Sequence, residues 1–135
     1  MNIADKAAFY REAHRLLKPG GWLVLSEVAR GEGAEPDYPT PWARTAATSF
    51  LATADETRRG LEAAGFDVIR LESKLEEARA FGALSRAMVA RGEKPPHRAV
   101  FLIHGEIAAQ AAANTGRATG DGRLVPIVAL ARRRA

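Results

Sequence analysis

The first thirty residues constrain the fold most, because an amphipathic helix there runs directly into a continuously apolar strand. Apolar side chains recur at helical spacing over residues 5–17, and Asp5 suits the helix start. A Pro-Gly-Gly turn at 19–21 ends the helix. The run 22–25 predicts a strand covered on both faces, as in a parallel α/β sheet. Helix and strand complete a β-α-β unit whose first strand would precede Met1, so we expect the back half of a larger domain.

A long proline-rich segment separates this strand from the next helix. Residues 31–52 show neither helical nor strand periodicity, and loops of this length are usually functional or disordered. Thr53 and Glu56 form a capping box, which predicts a helix that runs to about residue 64 and stops at Gly65. A second strand is predicted over 66–71.

The remainder of the chain predicts two more helices and a last strand. Residues 74–91 are helical by composition, and Pro95-Pro96 ends that helix. Residues 99–113 begin like a strand but continue rich in alanine, and their length favours a helix. After a turn at 121–122, residues 124–130 form the last strand, near whose start a proline is tolerated.

Composition excludes several classes of protein. The chain has 135 residues, enough for one domain, and no cysteine for disulfides or thiolate metal sites. No apolar run approaches the roughly 20 residues of a membrane helix, and the N-terminus does not resemble a signal peptide, so we expect a cytoplasmic protein. The net charge of +4 comes from dispersed basic residues, which makes nucleic-acid binding an unfavoured interpretation.

The usual catalytic and metal-binding motifs are absent from the sequence. It contains no glycine-rich phosphate loop and no paired histidines at metal-ligand spacing, and Ser26 lacks the glycines of a nucleophile elbow. The histidines are scattered at His14, His97 and His104. We interpret His14 as an exposed helical residue and His104 as structural. The sequence therefore predicts no catalytic residue and no metal ligand.

Position in the fold suggests where a ligand would bind. Ligands of open α/β sheets lie beyond the carboxyl ends of the parallel strands. The start of the first helix and the proline-rich segment both belong to that rim, so Asn2, Tyr38 and Trp42 are candidates to face one pocket. Trp42 could equally plug the loop onto the core. For Tyr38 a structural role is somewhat favoured, and Asn2 often caps a helix in such a place.

Several runs, in order, resemble class I S-adenosylmethionine-dependent methyltransferases. The runs are Met1-Asn2-Ile3-Ala4-Asp5-Lys6, Leu17-Lys18-Pro19-Gly20-Gly21, Tyr38-Pro39-x-Pro41-Trp42-Ala43, Ser49-Phe50-Leu51, Leu61-Glu62-Ala63-Ala64-Gly65-Phe66 and Gly122-Arg123-Leu124, with Tyr10, Arg11, Glu12, Ala13, Arg15, Gly105 and Asn114 between them. Within that superfamily the chain is similar to the branch known as methyltransferase type 11, near sarcosine/dimethylglycine and ubiquinone/menaquinone-biosynthesis methyltransferases.

The resemblance implies a partial domain over residues 1–135: the C-terminal half of a Rossmann-like methyltransferase sheet. That half would contain the fourth crossover helix and the fifth to seventh strands with their helices, the last strand being antiparallel and inserted between the other two. The family's glycine-rich loop and ribose-binding acid belong to the N-terminal half, which matches nothing here. Only Met1 and Asn2 align near the cofactor, as positional candidates, and Tyr38 and Trp42 are candidates for the substrate pocket.

The function implied is methyl transfer from S-adenosylmethionine to a small-molecule acceptor, whose accepting atom stays open. Such transfer depends mainly on aligning the nucleophile with an already activated methyl group, so a catalytic triad is not required. A half-domain would leave its first strand with an open edge. The chain is then a truncated gene product, one part of a split enzyme that pairs with the missing half, or a non-catalytic module that dimerises through that edge.

Overall fold

The computed structural model describes residues 1–93 and 102–135, and within them it is a mixed α/β structure. Its elements are α1 (Lys6–Leu16), β1 (Trp22–Arg30), α2 (Ala54–Ala63), β2 (Phe66–Ser73), α3 (Leu75–Ala90), α4 (Ala108–Gly120) and β3 (Leu124–Arg133), with short 3-10 turns at Ala46–Thr48 and Gly105–Ile107. The prolines at 95–96 and the start of the helix predicted over 99–113 lie outside the described residues. The described part of that helix extends to Gly120, beyond the predicted end.

The three strands form one sheet in the order β1-β3-β2. Strand β3 lies in the centre and pairs antiparallel with both neighbours, from Trp22 opposite Arg132 to Arg30 opposite Leu124 on the β1 side. The prediction of an antiparallel last strand inserted between the other two is therefore confirmed. Because both outer strands are antiparallel to β3, they run in the same direction. In the described sheet β1 is an edge strand.

The helix boundaries follow from local chemistry that the sequence displays. The carboxylate of Asp5 accepts a hydrogen bond from the Ala8 amide at 2.8 Å and caps α1. At α2 the Thr53 hydroxyl accepts from the Glu56 amide, and the Glu56 carboxylate accepts from the Thr53 amide. Gly65 follows α2 at φ +95°, the left-handed conformation that glycine adopts without strain. The capping box and the helix stop are thus confirmed.

The main core lies between the sheet and the helices α1 and α2. Its buried members are Tyr10, Leu61, Phe66, Ala129 and Ala131. Helices α3 and α4 pack on each other and on β3, outside this cluster. The core holds the first half of β1 against α1 and so positions the residues that follow along the strand.

His14 does not lie exposed on α1, so that interpretation was wrong. Its ring packs edge-on against Phe66, with 5.4 Å between centroids. This contact is possible because Gly65 has no side chain: a Cβ there would lie 2.8 Å from the His14 Nε2 atom. The glycine that ends α2 therefore also makes room for the histidine.

Strand β1 is covered on one face only, contrary to the prediction. Leu23 and Leu25 pack against the core, whereas Trp22 is 52% exposed and Val24 is 67% exposed on the opposite face. The guanidinium of Arg132 lies over the Trp22 ring, 5.6 Å from its centroid, and shields part of it. An apolar run predicts coverage in the finished assembly, and no described element of this chain supplies the second layer over Trp22 and Val24.

Candidate functional site

Two cavities flank the segment that leads away from the carboxyl end of β1. The first, here called the Glu27 cavity, has a volume of about 140 Å³ and lies between the start of α1 and β1. The second, here called the Trp42 cavity, has a volume of about 380 Å³ and lies between loop residues 40–48 and residues 104–107. A hydrogen bond from the Phe50 amide to the Met1 carbonyl, 2.9 Å long, joins the loop to the α1 side.

Glu27 is the charged centre of the first cavity. Its side chain is only 10% exposed and accepts hydrogen bonds from the Lys6 ammonium, at 2.9 Å, and from the amine of Met1. Burial raises the pKa of Glu27, but the hydrogen bonds and charges of these two cations outweigh it, so the pKa lies below its ordinary value. Glu27 is therefore a largely buried, ionised carboxylate.

Tyr10 belongs to the core and lines the same cavity as Glu27. The hydroxyls of Tyr10 and Thr57 are both buried and neighbouring, and neither forms a hydrogen bond of normal geometry with any described residue. Burial raises the pKa of Tyr10, and the negative charge of Glu27 raises it further. The Tyr10 hydroxyl is thus a neutral group at the floor of the Glu27 cavity.

Glu27 makes stability depend on pH in acid. Because its folded-state pKa lies below the ordinary value of 4.5, its contribution is complete above that value and is lost as the pH falls through the folded-state pKa. We expect Glu27→Gln to lower the free energy of unfolding at pH 7 by about 1 kcal/mol, and to flatten its fall below pH 4.5, in urea titrations. Glu32→Gln is the control, since Glu32 is exposed and has no ion pair with any described residue. Equal flattening in both variants would contradict the assignment.

The Trp42 cavity combines an aromatic wall with basic and hydroxyl groups. The indole Nε1 of Trp42 donates to the Ser49 Oγ at 3.0 Å, which fixes the ring. Backbone hydrogen bonds between Thr40 and Ala43 close a tight turn next to it. The remaining polar wall is formed by Arg44, Thr45, Thr48 and His104.

Helix α4 and the start of β3 hold the loop that forms this cavity. Asn114 is 3% exposed, and its Nδ2 donates to the Pro39 carbonyl at 3.0 Å while its Oδ1 accepts from Arg117 at 2.6 Å. Arg123 donates to the Glu35 carbonyl at 3.0 Å. A loop that the sequence shows only as proline-rich is therefore anchored by side chains more than seventy residues away.

Removing the Asn114 amide should loosen the loop. We expect Asn114→Ala to lower the free energy of unfolding by about 1–3 kcal/mol, because the Pro39 carbonyl loses a largely buried hydrogen-bond donor. Limited proteolysis should cut residues 31–52 severalfold faster in this variant. Asn2→Ala is the matched control, because Asn2 is exposed and its side chain bonds to no described residue. If both variants behave alike, Asn114 does not anchor the loop.

The structure does not bring the sequence candidates into one pocket. Met1 and Asn2 line the Glu27 cavity, Trp42 lines the other cavity, and Tyr38 lines neither. The Tyr38 hydroxyl donates to the Glu35 carboxylate at 3.2 Å. The separation arises because the chain reverses at the turn over 40–43, which turns Trp42 towards residues 104–107, before Phe50 reaches Met1.

Sequence reasoning missed Lys6, Tyr10 and Glu27, and it set His104 aside as structural. One signal for Glu27 was available: an acid two residues after Leu25 belongs on the same face of the strand as the core leucines. Among the described residues, no three His, Asp or Glu side chains gather as ligands of one metal ion. No helix in that part of the chain is long and apolar enough to cross a membrane.

The chain matches no protein-family model and no curated protein, but solved structures share its fold. The [4+2]-cyclase SpnF has a TM-score of 0.63 and 21% identity over 96% of this chain and 45% of that protein. Phosphoethanolamine N-methyltransferase 2 of Haemonchus contortus, solved with S-adenosyl-L-methionine, has a TM-score of 0.69 and 14% identity over 99% and 31%. The cyclopropane synthase MmaA2 of Mycobacterium tuberculosis has a TM-score of 0.63 and 15% identity over 95% and 50%.

This chain thus spans half or less of the length of these proteins. At such identities the likeness shows the fold, and a fold shared by a cyclase, a methyltransferase and a cyclopropane synthase does not determine the reaction. The order of the strands and the antiparallel central strand agree with the sequence resemblance. The chain therefore has the mixed α/β fold that is found in part of each of these proteins, among them a methyltransferase.

Proposed function

We propose that this chain supplies the C-terminal half of a methyltransferase domain that moves a methyl group from S-adenosylmethionine to a small-molecule acceptor. The observation that carries the proposal is the β1-β3-β2 sheet with its antiparallel central strand. The structural match to a methyltransferase covers 99% of this chain, including all three strands of that sheet. The ordered resemblance in sequence, from the Leu17-Lys18-Pro19-Gly20-Gly21 turn to Gly122-Arg123-Leu124, supports the same assignment.

The uncovered side of β1 supports a completing half. An edge strand carries unpaired backbone N–H and C=O groups, and here its open face also exposes Trp22 and Val24. A strand added parallel to β1, with a helix packed over these side chains, would satisfy both. The doubly covered strand predicted from the sequence would then exist in the complete domain.

The described residues alone do not fit the cofactor. The Glu27 cavity, which Met1 and Asn2 line, has about 140 Å³, below the roughly 300–1,000 Å³ of typical small-molecule sites. No glycine-rich phosphate or ribose cradle accompanies it in the described part of the chain. In the proposed domain the other half holds S-adenosylmethionine, and this chain contributes walls on the acceptor side.

Three observations test the proposal. Isothermal titration calorimetry of the 135-residue chain with S-adenosylmethionine should show no low-micromolar binding, and such binding would overturn the division between the halves. The DNA upstream of the Met1 codon should encode, in frame, a strand, a Gly-x-Gly loop and a strand that ends in an acid. That longer protein should transfer a labelled methyl group to members of a panel of small amines, alcohols and carbon acids. A folded longer protein that does not bind the cofactor would contradict the function.

The open edge of β1 also favours a second candidate, a non-catalytic module that pairs with its own copy. A stable dimer, together with upstream DNA that encodes no cofactor-binding half, would support the module over the enzyme. Size-exclusion chromatography with light scattering provides the first of these observations.

A further inference from the structure

We propose that the Trp42 cavity binds a small organic anion with an apolar or aromatic body. The identification of this anion as the methyl acceptor rests on the proposed function. Binding of the anion itself is independent of methyl transfer and is tested separately below.

The charged residues at the cavity favour an anionic ligand. Arg44 and His104 are its basic wall residues, and none of the described residues that line it carries a carboxylate. Neither Arg44 nor His104 forms an ion pair or a side-chain hydrogen bond with a described residue, although arginines elsewhere in the chain, such as Arg15 and Arg134, are paired with acids. A guanidinium without a protein partner at the mouth of a cavity is suited to bind a carboxylate or phosphate through two parallel hydrogen bonds.

The other walls define the body of the ligand. The Trp42 ring is fixed by its bond to Ser49, and Pro41 and Ile107 add apolar surface. The volume of about 380 Å³ lies within the range of small-ligand sites. A flat or aliphatic group can pack on the indole while its charged end reaches Arg44 and His104.

The cavity is also preorganised. Asn114 ties the loop to α4 through the Pro39 carbonyl, and the turn between Thr40 and Ala43 sets the position of Trp42. A ligand therefore meets walls that are already in place and loses less free energy in ordering them. The Thr45 hydroxyl has no hydrogen bond to a described residue and adds a donor beside Arg44.

The indole N–H signals of the two tryptophans provide a direct test by NMR. With the ¹⁵N-labelled chain, Trp22→Phe assigns the signals. Titration with benzoate or phenyl phosphate should shift the Trp42 signal and leave that of Trp22 in place. Benzyl alcohol, which has the same ring and no charge, should bind at least about tenfold more weakly.

Substitutions test whether Arg44 and His104 bind the charged group of the ligand. Arg44→Gln and His104→Gln should each weaken anion binding, Arg44→Gln by about tenfold or more. Arg11→Gln, which removes the same charge from an exposed position on α1, should leave the affinity unchanged.

Each outcome has one meaning. Binding of benzoate alone assigns a carboxylate ligand, binding of phenyl phosphate alone a phosphate ester, and binding of both a less selective anion site. Equal affinity for benzyl alcohol, equal loss in Arg11→Gln, or no shift of the Trp42 signal would overturn the proposal. Anion binding by a chain whose folded longer form does not bind S-adenosylmethionine would retain the site and contradict the proposed function.

Discussion

Replacing Gly31 with alanine is expected to lower the free energy of unfolding by about 3 kcal/mol or more, since overpacking against fixed backbone is among the most destabilising changes. Gly31 directly follows β1, and its amide donates to the Arg123 carbonyl at 2.8 Å. A Cβ at this position would lie 1.8 Å from the Gly122 carbonyl oxygen and 3.0 Å from Val125 Cγ2. The chains meet so closely that they leave no room for a methyl group.

The strain cannot be relieved by a rotating side chain. The obstructing atom is a backbone oxygen, and Gly122 itself has φ +84° at the turn into β3. Alanine at position 31 would therefore push the end of β1 away from the start of β3, which is the central strand. Urea denaturation followed by circular dichroism measures the loss.

Gly116→Ala is the matched control for Gly31→Ala. Gly116 lies within α4, and a Cβ there would meet nothing within 4 Å. Since glycine in a helix interior costs about 0.5–1 kcal/mol relative to alanine, this change should stabilise the protein slightly. If the free energy of unfolding of Gly31→Ala lies within about 1 kcal/mol of the wild-type value, residues 31 and 122 do not approach so closely in solution.

The sequence predicted those parts of the fold whose causes are local. Asp5, the capping box at Thr53 and the glycine at 65 act within one helical turn, so the helix boundaries could be derived from the residues around them. The pairing of β3 between β1 and β2 is not local, and it came from the resemblance to a family. The bulge between Val68 and Arg70 has no signal in the sequence that we could identify.

The one error in the sheet has a physical origin. The run 22–25 contains only apolar residues, a pattern typical of strands that are covered on both faces. Leu23 is covered within this chain, whereas Val24 is not. The prediction of a doubly covered strand therefore failed at Val24 within the described part of this chain.

The candidate site residues remain predictions, and the structure shows only where they lie. Trp42 lines a cavity, but His104, which lines the same cavity, lies more than sixty residues further along the chain. The contact between Lys6 and Glu27 likewise depends on how α1 packs on β1. Such pairs have no signature at short range, which explains why periodicity and motif spacing could not reveal them.

Val24→Lys is expected to weaken self-association of the chain. At tens of micromolar, the wild-type chain should form dimers through the open edge of β1, because edge strands pair readily when they are flat and apolar. A lysine on an edge strand opposes such pairing, and Val24 is exposed enough to be replaced without disturbing the core. We expect the dissociation constant of the dimer to rise at least about tenfold, as measured by size-exclusion chromatography with light scattering over a dilution series.

Val89→Lys is the control that distinguishes pairing at the β1 edge from non-specific association through exposed apolar side chains. Val89 lies on α3 and is 57% exposed, close to the 67% of Val24, so both variants add the same charge in place of a similarly exposed side chain. If association depends on β1, only Val24→Lys should weaken it. Equal effects of the two variants would assign the association to exposed apolar surface in general. A wild-type chain that stays monomeric across the series would argue against the edge-paired module, and would leave the completing half-domain as the partner proposed for β1.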